Sequence, residues 1–373
     1  MEVRVKDLMK LMDAWAPPKL AESWDHPGLQ VGDPEHIVRS VLVSLDLTRE
    51  AVRYAKAKGI SMVVSHHPFL FRPLKTLDLQ TEKGQIIADL ITGQISAFAA
   101  HTNLDTADGG VNDALADALG LENRKGLVKI HENKRYKLVV YVPLSHAEMV
   151  RKAMADAGAG AVGAYDRCAF VSEGKGHFHC MEEAHPYIGT AGTEETAKEA
   201  RIETFLSEKD IPSVIRALRK AHPYEEPVYD LYALKEGSHW DTMGRIGDLP
   251  STMTVPEALA YIKEKLGLPV VKYAGQAAGK KIRKVAVLGG AGVEFAKTAK
   301  AAGADLYLTG DVKYHEAQDV AAMGLVLVDG GHFYTERVVI PVIAGRIRKA
   351  AQENGWDLSV VEDPTSADIF KYE

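Results

Sequence analysis

The sequence predicts an α/β protein in which two α/β halves form one layered unit, with a ferredoxin-like α+β domain inserted between them. Three observations carry this. Short apolar runs alternate with helical segments over residues 1–128, a different plan occupies residues 129–238, and the alternation returns over residues 239–373.

In the first half, Val5, Leu8, Met9 and Met12 fall at helical spacing and predict an amphipathic opening helix. Ile37–Ser44 then reads as a strand, Arg49–Lys58 as a helix and Ile60–Ser65 as a strand. Glu82–Thr92 follows as a helix, Ile95–Ala100 as a strand and Val111–Leu119 as a helix. Alternation of this kind builds a mostly parallel sheet covered by helices.

The middle segment opens with a strand, Tyr136–Val142, ended by Pro143. Ser145 and Glu148 have capping-box spacing and predict a helix start. Ala200–Leu206 reads as a strand, Ser213–Lys220 as a helix after Pro212, and Val228–Leu234 as a returning strand. Two successive strand–helix–strand units of this size make a split βαβ module. It carries no evident catalytic set and reads as an interaction or assembly domain.

Lys235–Gly244, polar and glycine-containing, reads as the linker back to the α/β pattern. A helical region from Pro256 precedes strands at Val285–Leu288, Asp305–Thr309 and Leu325–Val328. Helices at Val293–Ala301 and Tyr314–Met323 separate them, and Arg337–Arg348 is a long final helix.

Composition narrows the chemistry. The 45 Lys and Arg against 51 Asp and Glu give a net charge of −6, the wrong sign for a nucleic-acid partner, which wants clustered cations. No apolar run approaches the ~20 residues of a membrane span. The opening MEVRVKDLMKLMDAW scatters charges through the place of a signal-peptide core. A soluble, cytoplasmic protein is expected. Cys168 and Cys180 are the only cysteines, too few for a disulfide framework or a four-thiolate metal site. With 14 histidines in the chain, a metal would be held by imidazole and carboxylate.

Three segments concentrate such groups directly after a strand. They are Ser65-His66-His67-Pro68, then His101 to Asp105, then Gly330-Gly331-His332 to Glu336. Ligands of open α/β sheets bind beyond the carboxyl ends of the strands, so the three would converge. His66 and His67 cannot serve one ion from mid-strand, since adjacent side chains point to opposite faces; at a strand end each could reach a different ion. His332 and Glu336 lie on one helical face, after a glycine pair that permits a tight turn. Asp105 and Glu336 could bridge cations. The set suits a dinuclear site with ions about 3.5–4 Å apart, for which zinc fits, with manganese or iron as alternatives.

Each motif alone has an ordinary reading. A His-His-Pro run is commonly a loop feature, and histidine–carboxylate pairs four apart are commonly helix caps or solvated faces. The Gly289-Gly290-Ala291-Gly292 loop could cradle a phosphate, but it lacks a P-loop lysine, and a tight turn explains it equally well. His177, His179 and His185 in the insert could hold a further metal or simply belong to a surface loop.

The residues resemble the GTP cyclohydrolase 1 type 2 family, also called NIF-three-like. The resemblance rests on Glu22-Ser-Trp-Asp-His-Pro-Gly-Leu-Gln-Val-Gly32, Ser65-His-His-Pro68, His101-Thr-Asn-Leu-Asp105 and Thr309-Gly-Asp-Val-Lys-Tyr-His315. The most specific motif is Asp329-Gly-Gly-His-Phe-Tyr-Thr-Glu336. These span both flanking halves in the family's order, and His26 stands where asparagine is commoner. The middle segment resembles the PII-like or CutA-like insert of the longer bacterial members, down to His222-Pro-Tyr-Glu-Glu-Pro-Val-Tyr.

The resemblance implies a pair of divalent ions per subunit, zinc foremost, on His66, His67, Asp105, His332 and Glu336, with Glu336 bridging. It places His101 beside them as a further ligand or a proton-transfer group, and Asp311 and His315 behind them. It also implies a toroidal homohexamer with the inserts gathered as trimers. The implied reaction is hydrolytic opening of the GTP imidazole ring with release of formate, catalysed with His101 and Glu336, or attack on a related nucleotide or phosphorylated small molecule. The alternative is a non-catalytic metal-handling or regulatory assembly in which the insert senses or recruits a partner.

Overall fold

The apolar runs Val41–Val43, Met62–Val64 and Ala97–Ala99 lie side by side as parallel strands. They form the middle of a five-stranded sheet in a computed structural model that describes residues 1–373. Its order is Ser359–Glu362, Ser40–Ser44, Met62–Ser65, Ser96–Ala99 and Gly28–Val31, with only the last strand antiparallel to its neighbour. Both faces are covered, which is why the central strands read as continuous apolar runs. Val41, Val43, Met62 and Val64 pack against the opening helix Val5–Trp15 and the long helix Ile340–Asn354. Leu42, Val63 and Ala97 pack the opposite way, on helices Arg49–Lys58 and Glu82–Thr92.

The second sheet has six strands. In order they are Lys272–Ala274, Val326–Asp329, Leu306–Gly310, Lys281–Ala291, His239–Thr254 and Glu122–Asn133. The three from Lys281 to Asp329 are parallel and carry the same continuous apolar pattern. Helix Val255–Leu266 covers one face through Val255, Ala258 and Ile262. The other face buries Tyr307 and Leu327 against Ala296, Ala299 and Val320.

Each sheet is completed by the far half of the chain. The last strand, Ser359–Glu362, pairs parallel with Ser40–Ser44, and Glu122–Asn133 closes the edge of the second sheet. Neither strand was evident in sequence, because Glu122–Asn133 is largely exposed and polar. Two other expectations change. Ile37–Ser44 divides at Arg39, so that Ile37–Val38 pairs with Val3–Arg4. The expected linker Lys235–Gly244 is partly strand, since His239–Thr254 begins inside it.

Residues 1–131 with 241–373 make one structural unit, and residues 132–240 make the other. The second has strands Arg135–Pro143, Ala169–His179, Glu194–Ser207 and Tyr229–Ala233, with helices Ala147–Asp156 and Ile211–Ala221. Numbered within this unit, the all-antiparallel strand order is 4-1-3-2, the split-βαβ arrangement. Strand Ala169–His179, with Gly174 and Gly176, carries too little apolar alternation to be read in advance. The capping box does not form. The helix is capped at His146 without a side-chain bond, Ser145 Oγ meets His146 Nδ1, and Glu148 pairs with Arg151. Both cysteines are free thiols. No helix is long and apolar enough to cross a membrane.

One polar contact ties the two α/β halves together. Arg245 is 4% exposed and grips both oxygens of Asp113, at 2.7 and 2.6 Å. Burial acts to raise the Asp113 carboxyl, but the guanidinium outweighs it and holds the group below its ordinary 3.8. A carboxyl depressed by folding contributes stability that is present above its unfolded value and lost as pH falls through the folded one. Removing one partner of a buried pair leaves an uncompensated charge. Arg245→Ala should therefore cost about 3–5 kcal/mol. In urea titrations at pH 7 it should cost more than the double variant Arg245→Ala/Asp113→Ala, and this excess should shrink as the pH drops below 4.

Candidate metal centre

The carboxyl ends of three strands meet at one cluster. His66 and His67 follow strand Met62–Ser65, and His101 and Asp105 follow Ser96–Ala99 on the short helix Thr102–Thr106. His332 and Glu336 follow Val326–Asp329 on the short helix His332–Glu336. Gly331, at φ 73°, supplies the left-handed turn into that helix.

Glu336 is the hub. It is 4% exposed, and its Oε2 lies 2.8 Å from His67 Nε2 and 3.0 Å from His332 Nε2. The two ring nitrogens are 3.3 Å apart. On the other side, His66 Nε2 lies 3.8 Å from Glu336 Oε1 and 3.7 Å from Asp105 Oδ1. His66 Nε2 and Asp105 Oδ1 are buried and have no hydrogen-bond partner. Unpartnered polar atoms are costly in a protein interior, and this pair faces each other across a gap.

The opposite nitrogen of every ring is anchored. His67 Nδ1 bonds Asp46 at 2.7 Å, His332 Nδ1 bonds Asp311 at 2.8 Å and His101 Nδ1 bonds Asp25 at 2.9 Å. His66 Nδ1 bonds the Ala100 carbonyl at 2.8 Å. Carboxylates and carbonyls accept, so each Nδ1 carries the proton and each Nε2 is presented as the ligand atom. Metal-binding histidines are characteristically fixed in this way. Asp25 lies inside the Glu22–Gly32 motif with nothing in the sequence to mark it as an anchor, and no spacing signal marks Asp46. His315 is exposed and pairs with Gln318 rather than with the cluster.

The electrostatics describe a site built for cations. Burial opposes the charged form of His67, but Asp46 and Glu336 push its pKa up to about 10. His332 is similarly disfavoured by burial, yet Glu336 and Asp311 raise it to about 9. Burial raises Asp105 to about 6, the nearby imidazoles only partly offsetting it. Glu336 is driven well below its ordinary value, because the surrounding imidazoles overcome its burial. The imidazoles offset Glu336 by holding protons, and a metal bound to the same atoms would have to displace them. His66, His67 and Glu336 can offer ligand atoms that all lie within 4.8 Å of one another. The donor set therefore fits a divalent ion on that triad, and the unpartnered His66–Asp105 face is suited to extend it.

The glycine loop has a specific role here. A Cβ on Gly290, at φ 65°, would lie 2.2 Å from Glu336 Oε1. The loop's amides are already used, with Gly289 N–H donating to Asn112 and Gly290 N–H to Thr335. It makes room for the carboxylate rather than cradling a phosphate. Beyond His67 and His332 opens a cavity of about 900 Å³, reaching Lys272, Phe333 and the C-terminal residues Ile369 and Phe370. On the other flank, Trp24 and Phe71 are exposed and stand edge-on to His101, with ring centroids at 6.0 and 6.2 Å.

Gly290→Ala adds a left-handed backbone penalty of about 1–2 kcal/mol and displaces the Glu336 carboxylate. Metal analysis after saturation with zinc should find less metal per chain than in the unsubstituted protein, while Gly279→Ala, where a Cβ meets nothing within 4 Å, should retain it. Equal metal content in Gly290→Ala would refute the assigned role of the loop.

Residues 3–368 match the family described as Duf34/NIF3 (NGG1p interacting factor 3). The chain is 38% identical over 365 residues to a Halalkalibacterium halodurans protein named GTP cyclohydrolase 1 type 2 homolog, covering 98% of each. It is 36% identical over 370 residues to a Bacillus subtilis protein of the same name, covering 99% of each. A solved Bacillus cereus protein related to NIF3 superposes with a TM-score of 0.92 at 38% identity, covering 100% of this chain and 99% of that one. The chain therefore belongs to the Duf34/NIF3 family.

Proposed function

We propose that this protein is a metal-dependent hydrolase in which His66, His67, Asp105, His332 and Glu336 hold a pair of divalent ions. Zinc is the foremost candidate, with manganese or iron as alternatives. The proposed reaction is hydrolytic opening of the imidazole ring of GTP, or of a related nucleotide, with release of formate. The carrying observation is the pair of buried, unpartnered atoms His66 Nε2 and Asp105 Oδ1 beside the Glu336 hub. Buried unpartnered atoms in a native fold call for an explanation, and a bound ion is one that supports this reading. The substrate class rests on the relatives, whose names designate GTP cyclohydrolase homologues.

Bound divalent ions supply activated water and charge stabilisation at neutral pH. The chain's own residues supply the rest. Burial works to raise Asp25, but hydrogen bonds from His101 and Thr102 hold it at about 2. Asp25 is thus an anion that fixes the His101 Nδ1 proton, leaving Nε2 able to take and return a proton. Ring opening needs one water to add at the purine C8 and another to cleave the resulting formamide, so a reversible proton carrier beside the site is required. Trp24 and Phe71 offer aromatic surface next to His101 on which a purine can stack. The 900 Å³ cavity falls within the range of small-ligand sites. As for assembly, we propose a homohexamer with trimeric contacts through the insert.

Protein loaded with zinc or manganese should release formate from GTP, and Glu336→Ala should abolish both turnover and metal retention. His101→Ala should lower kcat by roughly 10²–10⁴-fold with metal content unchanged, and Trp24→Ala should act mainly on KM. No formate despite full metal loading would sink the GTP reading and favour a non-catalytic, metal-handling assembly, for which the large insert is the motivation. Native mass measurement tests the ring, which a stable monomer would refute.

A further inference from the structure

The inserted unit has a cavity of its own, about 860 Å³, on the side of its sheet away from its helices. At its base Glu199, on strand Glu194–Ser207, is only 7% exposed. Its Oε1 accepts a hydrogen bond from the Tyr224 hydroxyl at 2.8 Å, and its Oε2 receives none. No lysine, arginine or histidine pairs with it; nearby Arg201 is bound instead to Glu203 at 3.1 Å. Burying an unpaired carboxylate is unfavourable, and this one keeps its free oxygen open to the cavity. Space is nevertheless kept for it, since a Cβ on Gly176 would lie 2.1 Å from Glu199 Oε2.

The walls are aromatic. Phe178 and Tyr187 stand 6.1 and 6.4 Å from the Tyr224 ring, centroid to centroid, and Tyr141 completes the lining. Tyr224 is held by the histidine of its own His222-Pro-Tyr224 turn. The Tyr224 N–H donates to His222 Nδ1, so His222 Nε2–H donates to the Tyr141 carbonyl. Burial lowers the His222 pKa, in keeping with this neutral tautomer. The rim adds Glu173, Glu183, Glu225 and Glu226 against Lys175 and Arg201.

Aromatic faces around a carboxylate attract a cation that is itself partly apolar. A bare metal ion would instead need several ligand atoms in close convergence, and the only such cluster in the chain is the one at His66, His67 and Glu336. We propose that the insert binds a small organic ammonium ion, with Glu199 as its counter-charge and Tyr224, Tyr187 and Phe178 as its aromatic walls.

The test is isothermal titration of the full-length protein with choline, tetramethylammonium and the neutral carbon isostere of choline. Saturable binding of the two cations, and none of the isostere, is expected. Glu199→Gln should weaken binding at least tenfold. Tyr187→Ala, at a half-exposed wall position that can be altered without loss of core, should weaken it severalfold. Unchanged melting temperature and circular dichroism would confirm that both variants fold. Glu336→Ala should bind the cations normally, which separates this site from the metal centre. The proposal is overturned if no ammonium probe binds, including because a second copy covers the cavity. It is equally overturned if Glu199→Gln or the neutral isostere binds as well, or if zinc alone competes for the site.

Discussion

The unit that carries the histidine–carboxylate cluster is organised around one buried charge, the carboxylate of Glu336. Taking an isolated carboxylate out of water costs several kcal/mol even after relaxation, so the fold must bring positive groups to it. It does so from both sheets: His66 and His67 extend from the first, His332 from the second. Neither half holds the cluster alone. This explains why the halves are tied so thoroughly. The strand Ser359–Glu362 crosses to the first sheet, Glu122–Asn133 crosses to the second, and Arg245 on one half grips Asp113 on the other. The glycine floor at Gly290 is the steric counterpart of the same requirement.

Convergence alone would not make a ligand set, because an imidazole can rotate and can carry its proton on either nitrogen. Four anchors remove that freedom. Asp46, Asp311 and Asp25 each hold one ring through Nδ1, and the Ala100 carbonyl holds the fourth. The anchors are themselves fixed. Asp25 accepts from the Thr102 hydroxyl at 2.6 Å and from its amide at 3.1 Å. Asp311 sits at φ 54°, a left-handed conformation that aspartate tolerates better than most residues. Local backbone strain is accepted there to aim a carboxylate at a histidine.

Much of this was legible in the sequence, for identifiable reasons. Central parallel strands are buried on both faces, so Val41–Val43, Met62–Val64 and Leu325–Val328 announce themselves as uninterrupted apolar runs. Functional groups at strand ends then follow from topology. The edge strands were invisible because an edge buries little: Glu122–Asn133 and Ala169–His179 are mostly exposed and polar or glycine-containing. The anchoring carboxylates were harder still. Asp46 lies 21 residues from His67 and Asp25 lies 76 residues from His101, so no local spacing links either pair. The Ser145–Glu148 capping box failed because the helix starts one residue later: His146 is its N-cap, which places Glu148 at the second helical position rather than the third.

The two units meet the cost of a buried carboxylate in opposite ways. At Glu336 the chain supplies several imidazoles, whose raised pKa values let them offset the carboxylate by holding protons. At Glu199 the chain supplies a tyrosine hydroxyl, which donates one hydrogen bond and carries no charge. Burial and the adjacent Glu199 both raise the Tyr224 pKa, so the hydroxyl keeps its proton and remains a donor. The hydrogen bond orients Glu199 without compensating it. The carboxylate is left with one oxygen open to the cavity and with no ion-pair partner in the chain. Its free oxygen faces a cavity walled by Tyr224, Tyr187 and Phe178, a setting that favours a cation with a skin of carbon over a bare ion.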